Sequence, residues 1–428
     1  MTQSSEPDVA SGPNAASEPG AASERAPHAL DAEWRAQAER AQEATLPHGR
    51  VTVSCPARLD AGGLGRHLRE LLDALARAGQ PATAIHKGSD ALAAAARPPG
   101  ARARHALDRA IAPALRGSLA WRMWAQSVEF DADAARALGE RSEGDRAGSA
   151  GSAGSEHLIA FNGTAIAQFR AAERAGWGSL TLVAANSHYR HLVRQHELAH
   201  SQYPIERPWP RHLLRRNLAE YACADRIHVA SRYIRDSFLA EGFPEAKLLC
   251  FPLTPHPRFA PPGAGAHTNS PADTSSGAST ASPSHDTFDV VYVGSLSVHK
   301  GVPLLIDAIG RLPQQDLRLV LVGGWGTRAM RRFLERAVAA DPRISVAPGD
   351  PAPVLADARL CVHAAYEDGF AYAPAEALAC GVPVIVSEDT GMKELVDPGR
   401  SGLIVPTGDR DALSEAIAGV YRGELLDG

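Results

Sequence analysis

From residue 288 to residue 388 the chain alternates short apolar runs with longer segments whose apolar positions recur every three or four residues. "FDVVYVGS" (288–295), "LRLVLVGG" (317–324), "RISVAPG" (343–349), "RLCVHAA" (359–365) and "VPVIVSE" (382–388) are short apolar runs, and all but 359–365 end at glycine or a polar residue. They predict buried strands, and "VPLLIDAIGRL" (302–312), "RAMRRFLERAVAA" (328–340) and "PAEALACG" (374–381) predict the helices between them. The N-terminal half repeats this order. "VTVSCP" (51–56) predicts a strand, "DAGGLGRH" (60–67) a glycine-rich loop and "LRELLDALARAG" (68–79) a helix. Further strands are expected at "HLIAFNG" (157–163), "LTLVAANS" (180–187), "RIHVAS" (226–231) and "KLLCFP" (247–252), with helices at 164–176 and 232–242. Strands apolar on both faces, alternating with helices, predict parallel sheets covered on both sides. The fold class is α/β, with two Rossmann-like domains facing each other across a cleft and a ligand at the carboxyl ends of the strands.

Three segments lack the apolar side chains needed to offset the entropy of ordering them. They are the Ser/Ala/Pro/Glu-rich start, "SEGDRAGSAGSAGSE" (142–156), and the stretch 261–287, which has no aliphatic residue beyond alanine and proline. The expected organisation is a weakly ordered segment 1–49, an N-terminal domain 50–260 with a low-complexity insert near 142–156, a linker 261–287 and a C-terminal domain 288–428. A net charge of −5 argues against nucleic acid as a general partner, and "RHLLRR" (211–216) reads as a solvated face. Five scattered cysteines without a C-x-x-C pair point to a reducing compartment. With no apolar leader and no run of eighteen apolar residues, a cytoplasmic protein is expected, at most peripheral to a membrane. The candidate membrane contact is "RAIAPALRGSLAWRMW" (109–124), basic with Trp121 and Trp124 near its end, although a packed amphipathic helix is the favoured reading there.

Candidate chemistry lies in three places. "HELAH" (196–200) has the zinc-peptidase spacing H-E-x-x-H, which puts His196 and His200 on one helical face, and Glu220 offers a third ligand. Pro204, Pro208 and Pro210 interrupt the path between them, so this reading is disfavoured. Two D-x-D triplets, "DAD" (131–133) and "DRD" (409–411), read as solvated acids. The richest stretch is "YEDGFAYAPAEALACGVPVIVSEDTGMKELV" (366–396). Pro374 is expected at the first helical position and Glu376 in the first turn, so the loop from Asp368 to Ala373 presents N–H groups suited to phosphate. "VGSLSVHKGVPLLIDAI" (293–309) offers a second anion site at Gly294-Ser295 and Lys300-Gly301.

In register, Asp368-Gly369-Phe370, Glu376-Ala377, Gly381 and Pro383, with the upstream Gly294-Ser295-Leu296 and Lys300-Gly301, resemble the signature of family 4 glycosyltransferases. That family is of the GT-B fold and carries E-G-F-G-x-x-x-x-E-A-x-A-x-G-x-P-V after G-R-L-x-x-x-K-G. The resemblance covers residues 288–420 strongly and 51–260 loosely. It implies a retaining transfer from a nucleotide-sugar donor to a glycan or lipid-linked acceptor, with no cofactor or bound metal. By the same resemblance Glu376 binds the donor ribose, Asp368 the donor sugar and Lys300 the diphosphate, with Gly369 and Phe370 completing the donor motif. Ser295 stands where many members have arginine. Gly62, Gly63 and Gly65 would let backbone approach the donor phosphate, and His188, just beyond the strand 180–187, matches a histidine that faces the cleft. His188, Asp368 and Glu376 are the expected catalytic residues. The family's fold usually continues into a helix crossing back to the N-terminal domain, whereas this sequence ends at Gly428. With Ser295, that motivates a second reading, an inactive GT-B-like nucleotide-sugar-binding protein.

Overall fold

The computed structural model describes residues 30, 32–95, 119–148, 155–260 and 287–426. The N-terminal domain opens with α1 (Ala32–Ala44), followed by β1 (Arg50–Cys55), α2 (Gly62–Arg77), β2 (Ala82–His86), α3 (Asp90–Ala95) and α4 (Leu119–Gly148). Then come β3 (Glu156–Phe161), α5 (Ile166–Ala175), β4 (Ser179–Ala184), α6 (Tyr189–Gln202), α7 (Leu214–Cys223), β5 (Arg226–Val229), α8 (Arg232–Leu239) and β6 (Leu248–Cys250). Every pairing in this sheet is parallel and the order is β2-β1-β3-β4-β5-β6. The chain steps outward from β1 to β2 and then back past β1 to β3. The loops after β1 and β3 therefore diverge, and a crevice opens between them.

The C-terminal domain comprises β7 (Phe288–Val293), α9 (Val302–Gly310), β8 (Leu317–Val322), α10 (Arg328–Ala340), β9 (Ile344–Ala347), α11 (Pro351–Ala356) and β10 (Leu360–His363). It ends with α12 (Tyr372–Ala379), β11 (Val384–Ser387), β12 (Gly402–Val405) and α13 (Arg410–Tyr421). The parallel order β9-β8-β7-β10-β11-β12 reverses direction between β7 and β10, which places the loops carrying Ser295, Lys300 and Asp368 at this sheet's own switch point. Central strands are sealed on both faces; all four residues of β10 and of β11 are buried.

Several expectations need correction. Residues 32–44 form α1 rather than a weakly ordered segment, because Ala38 and Gln42 are buried and the Gln42 amide donates to the Pro252 carbonyl at 2.7 Å. The expected insert near 142–156 is narrower, since α4 continues to Gly148 and β3 begins at Glu156. The expected linker lies almost wholly outside the described residues. The D-x-D residue Asp131 is buried, not solvated: it accepts bonds from Ala167 N (2.8 Å) and Gln168 N (3.1 Å) at the start of α5 and pairs with Arg216. Arg216 is thus drawn inward from the cluster read as a solvated face. Asp409, by contrast, caps α13 from an exposed position, accepting from Ala412 N at 2.9 Å.

The domains meet along α6 and the loops after β4 and β5. Gln195 donates to Asp389 (3.1 Å), the Tyr203 hydroxyl to Asp307 (3.0 Å), the Ser231 hydroxyl to the Gly369 carbonyl (2.8 Å) and Tyr233 N to Glu394 (2.7 Å). These bonds draw the carboxyl ends of the two sheets together across a cleft.

Candidate active site

The C-terminal wall of the cleft is built from β7 and β10. Gly301, with φ of +72°, lies so close to β10 that a Cβ there would meet the Ala364 carbonyl oxygen at 1.8 Å. Only glycine lets the chain turn there into α9 and leave Lys300 pointing at the loop after β10. Lys300 Nζ lies 2.8 Å from Asp368 Oδ2 and donates to the Glu367 carbonyl at 3.2 Å. On the other side His363 Nε2 is 3.0 Å from the same carboxylate oxygen. Burial alone would raise the Asp368 pKa, but the Lys300 charge and the His363 contact outweigh it and hold the carboxyl well below its usual range. The Tyr292 ring stacks parallel to His363, and its hydroxyl donates to the Ser295 carbonyl at 2.9 Å.

The neighbouring acid points elsewhere. Glu367 is buried and accepts from Ser187 N (2.8 Å) and the Asn186 amide (3.1 Å) across the domain boundary, and burial raises its pKa. Asp368, rather than Glu367, is the acid that lines the cavity.

The helix carrying Glu376 begins at Tyr372, two residues earlier than Pro374, so Glu376 sits beyond the first turn. Glu376 is completely buried, paired with Arg66 of α2 through one oxygen, while Oε2 has no partner. At the start of α12 the signature's second glycine is replaced by Ala371, held at φ 63° and ψ 92°. That backbone costs an L-residue about 1–3 kcal/mol. Ala371→Gly is expected to stabilise the protein by about 1 kcal/mol, a rise of roughly 2 °C in a melting experiment. An unchanged or lower melting temperature would show that no strain is stored there.

On the opposite wall the glycine-rich segment is mostly helix. α2 starts at Gly62, six residues before its expected start, so Gly62, Gly63 and Gly65 belong to its first turn rather than to an open loop. Gly63 lines the cavity; Gly62 and Gly65 do not. A Cβ on Gly65 would sit 2.2 Å from the Arg58 carbonyl, which makes it a packing glycine. Gly369 is likewise an interdomain contact, since a Cβ there would lie 2.2 Å from the Ala185 carbonyl. The residues brought together around a cavity of about 320 Å³ are Gly63, Ser295, Lys300, Asp368 and Phe370 among those expected from sequence. Arg66, Asn186, His363 and Tyr372 join them, none of which was expected. The run G-G-L-G-R held the signal for Arg66, one residue beyond the glycines.

His188 is the clearest correction. It does not face the cleft but sits 1% exposed among Tyr221, Phe238 and Phe243, with ring centroids 5.0–5.5 Å away, and Nδ1 receives Arg190 N at 3.4 Å as a helix cap. The strand end reaches the cavity through Asn186, two residues earlier. Burial lowers the His188 pKa to about 4, below an unfolded value near 6.5. A depressed folded pKa leaves the stabilisation intact above about pH 6.5, and it is lost as pH falls from there towards 4, on the order of 3 kcal/mol. His188→Phe should therefore flatten acid destabilisation between pH 6.5 and 4 while keeping neutral-pH activity within about threefold. A folded variant with hundredfold lower activity would restore a catalytic role.

The "HELAH" residues do not converge on Glu220. Both Glu220 oxygens are committed to the turn before α5, one to Gly163 N and the other to Ala165 N at 2.8 Å. His196 is buried and stacks at 4.2 Å on His299 of the C-terminal domain, so this part of α6 packs at the domain boundary. Among the described residues no three His, Cys, Asp or Glu side chains form a metal-holding group.

Residues 287–422 match the family described as glycosyl transferases group 1. The C-terminal domain is a group 1 glycosyltransferase domain. Among curated relatives of this glycosyltransferase domain, O-antigen chain mannosyltransferase B of Escherichia coli is 31% identical over 135 residues, covering 30% of this chain and 35% of that protein. A D-inositol 3-phosphate glycosyltransferase of Paenarthrobacter aurescens is 28% identical over 173 residues, 38% of this chain and 42% of its own length. The chain thus spans well under half the length of these curated relatives. Sucrose-phosphate synthase from Thermosynechococcus elongatus superposes with a TM-score of 0.58 at 19% identity, over 88% of this chain and 90% of that one. Anabaena HepE, in complex with UDP-glucose, gives 0.54 at 15% identity over the same shares. The fold is GT-B.

Proposed function

We propose that the protein is a glycosyltransferase that moves a sugar from a nucleotide-sugar donor to a glycan or lipid-linked acceptor with retention of anomeric configuration. The observation that carries this is the cavity at the facing switch points, where Lys300, held by Asp368, opposes the start of α2 with Gly63 in its first turn. As the bond between the sugar's anomeric carbon and the diphosphate oxygen breaks, its electron pair stays on that oxygen and the sugar gains oxocarbenium character. Preorganised donors stabilise the leaving oxygen best in a site that excludes water. In this reading Lys300 and the main-chain N–H groups at the start of α12 meet the diphosphate, Asp368 holds a sugar hydroxyl, and Oε2 of Glu376 accepts from the ribose. The acceptor hydroxyl attacks on the face the diphosphate leaves and passes its proton to the departing diphosphate. Asp368, already bridged by Lys300 and His363, is poorly placed to act as a covalent nucleophile.

A second cavity of about 210 Å³ adjoins the first through Leu64, Ala185 and Asn186, and extends towards Asn162, Asn217 and Trp209 in the N-terminal domain. Its amides and indole suit a polyhydroxylated acceptor. Gln126 of α4 also lines it, on the helix that exposes Trp121 and Trp124, which favours an acceptor approached at a membrane surface. No described helix is long and apolar enough to cross a membrane.

Incubation with a panel of UDP-, GDP- and ADP-sugars together with a mixed membrane glycolipid and oligosaccharide extract as acceptor, followed by nucleoside diphosphate release and NMR of the product anomer, tests the reading. Release from one donor class with the donor's configuration preserved, and an undiminished rate in EDTA, is expected. Absence of release from every donor, or an inverted product, would refute it.

A further inference from the structure

Among the described residues lining the cleft cavity the cations are Lys300 and Arg66. Lys300 is pinned to Asp368, and position 295 is a serine whose carbonyl, not its side chain, is held by Tyr292. The Asp368 carboxylate, which lines the same cavity, offsets the Lys300 ammonium, so a lone ammonium would leave no net positive charge to receive a diphosphate. Arg66 changes this balance. It arises from the first turns of α2 in the opposite domain, its Cζ lies 4.7 Å from the centre of the Tyr372 ring, and its Nη1 pairs with buried Glu376. Tyr372, on α12, is in turn fixed by a 2.7 Å bond from its hydroxyl to Glu70 of α2, and Glu70 also receives Thr254 N at 2.9 Å. The guanidinium is therefore held from two sides. The pairing with Glu376 engages Nη1, and a guanidinium has further N–H donors on a residue that lines the cavity.

We propose that Arg66 is the second cation of the donor diphosphate site, supplied across the cleft by the N-terminal domain, so that binding a nucleoside diphosphate requires the domains to be together. This rests on the nucleotide-sugar reading above. It assigns to Arg66 contact with the leaving group, and to the Arg66, Glu376, Tyr372 and Glu70 chain the task of holding the guanidinium there.

The test is calorimetric titration of UDP and GDP, and of UMP and GMP, into the full chain. Arg66→Gln keeps an N–H donor for Glu376 while removing the charge, and its melting temperature reports whether the fold is retained. Nucleoside diphosphate affinity is expected to fall about 10- to 100-fold, with a smaller loss for the monophosphates. Ser295→Arg, placed on the same cavity from the C-terminal side, is expected to recover at least about tenfold when added to Arg66→Gln. Unchanged or tighter diphosphate binding in Arg66→Gln would overturn the assignment, the latter identifying Arg66 as a plug on Glu376. Equal losses for mono- and diphosphates, without rescue by Ser295→Arg, would also overturn it and restrict Arg66 to holding the ribose carboxylate. A wild-type chain that binds neither diphosphate removes the nucleotide-sugar reading itself, which is a different outcome.

Discussion

Lys300→Ala is expected to lower donor kcat/KM by about 10³-fold, near 4 kcal/mol of transition-state stabilisation, in a chain that still folds. Two losses coincide. The cation opposite the leaving diphosphate disappears, and Asp368 loses the charge 2.8 Å away that keeps it ionised. Burial already acts to raise the Asp368 pKa and is then opposed chiefly by His363. The carboxyl therefore titrates higher in the variant, so the residual activity should climb with pH across a range where the wild type is flat. Steady-state kinetics at several pH values check both parts. Lys300→Ala with wild-type kcat/KM would mean that the β7–β10 crevice is not the donor site.

Glu376→Ala is expected to be similarly severe for a different reason. Glu376 is fully buried and its Oε1 is the partner of Arg66, so truncation leaves a guanidinium without its anion at a domain boundary. Breaking a buried pair from one side costs about 3–5 kcal/mol of stability. Glu376→Gln separates that cost from function, because the amide keeps the shape and an acceptor oxygen. Its melting temperature should stay within a few degrees of wild type, while kcat/KM for the donor falls about 100-fold as the charged acceptor for a ribose hydroxyl is lost. A rise in donor KM with unchanged kcat would assign Glu376 to uniform binding, equal in the ground and transition states. A Glu376→Gln variant with wild-type kinetics would exclude it from the site.

The pattern of apolar runs made both parallel sheets legible, because their inner strands are buried on two faces and leave continuous Val/Ile/Leu stretches. The edge strands β2 and β12 were not. Only Ile85 of β2 is buried, and β12 has four residues with Ile404 exposed, so neither produces a run that stands apart from a loop. α1 was invisible because its alanine- and arginine-rich face docks on α2 and on residues 252–255, contacts that no local pattern announces. The site divides along the same line. Lys300 and Asp368 lie in loops whose lengths are set by the strands beside them, so motif spacing located them. Arg66 and Asn186 come from the other domain, and their place at the cavity depends on how the two sheets close. His188 shows the converse: a histidine one turn past a strand end looks identical in sequence whether it faces a cleft or, as here, an aromatic box.

The direct test of the donor cleft is titration of UDP, GDP and ADP into wild type, Lys300→Ala and Glu376→Gln, followed by calorimetry. One nucleoside diphosphate should bind the wild type with a single site per chain, and both variants should lose that binding by at least about tenfold. Binding that is equal in all three proteins, or absent from the wild type, would contradict a nucleotide-sugar site between β7 and β10.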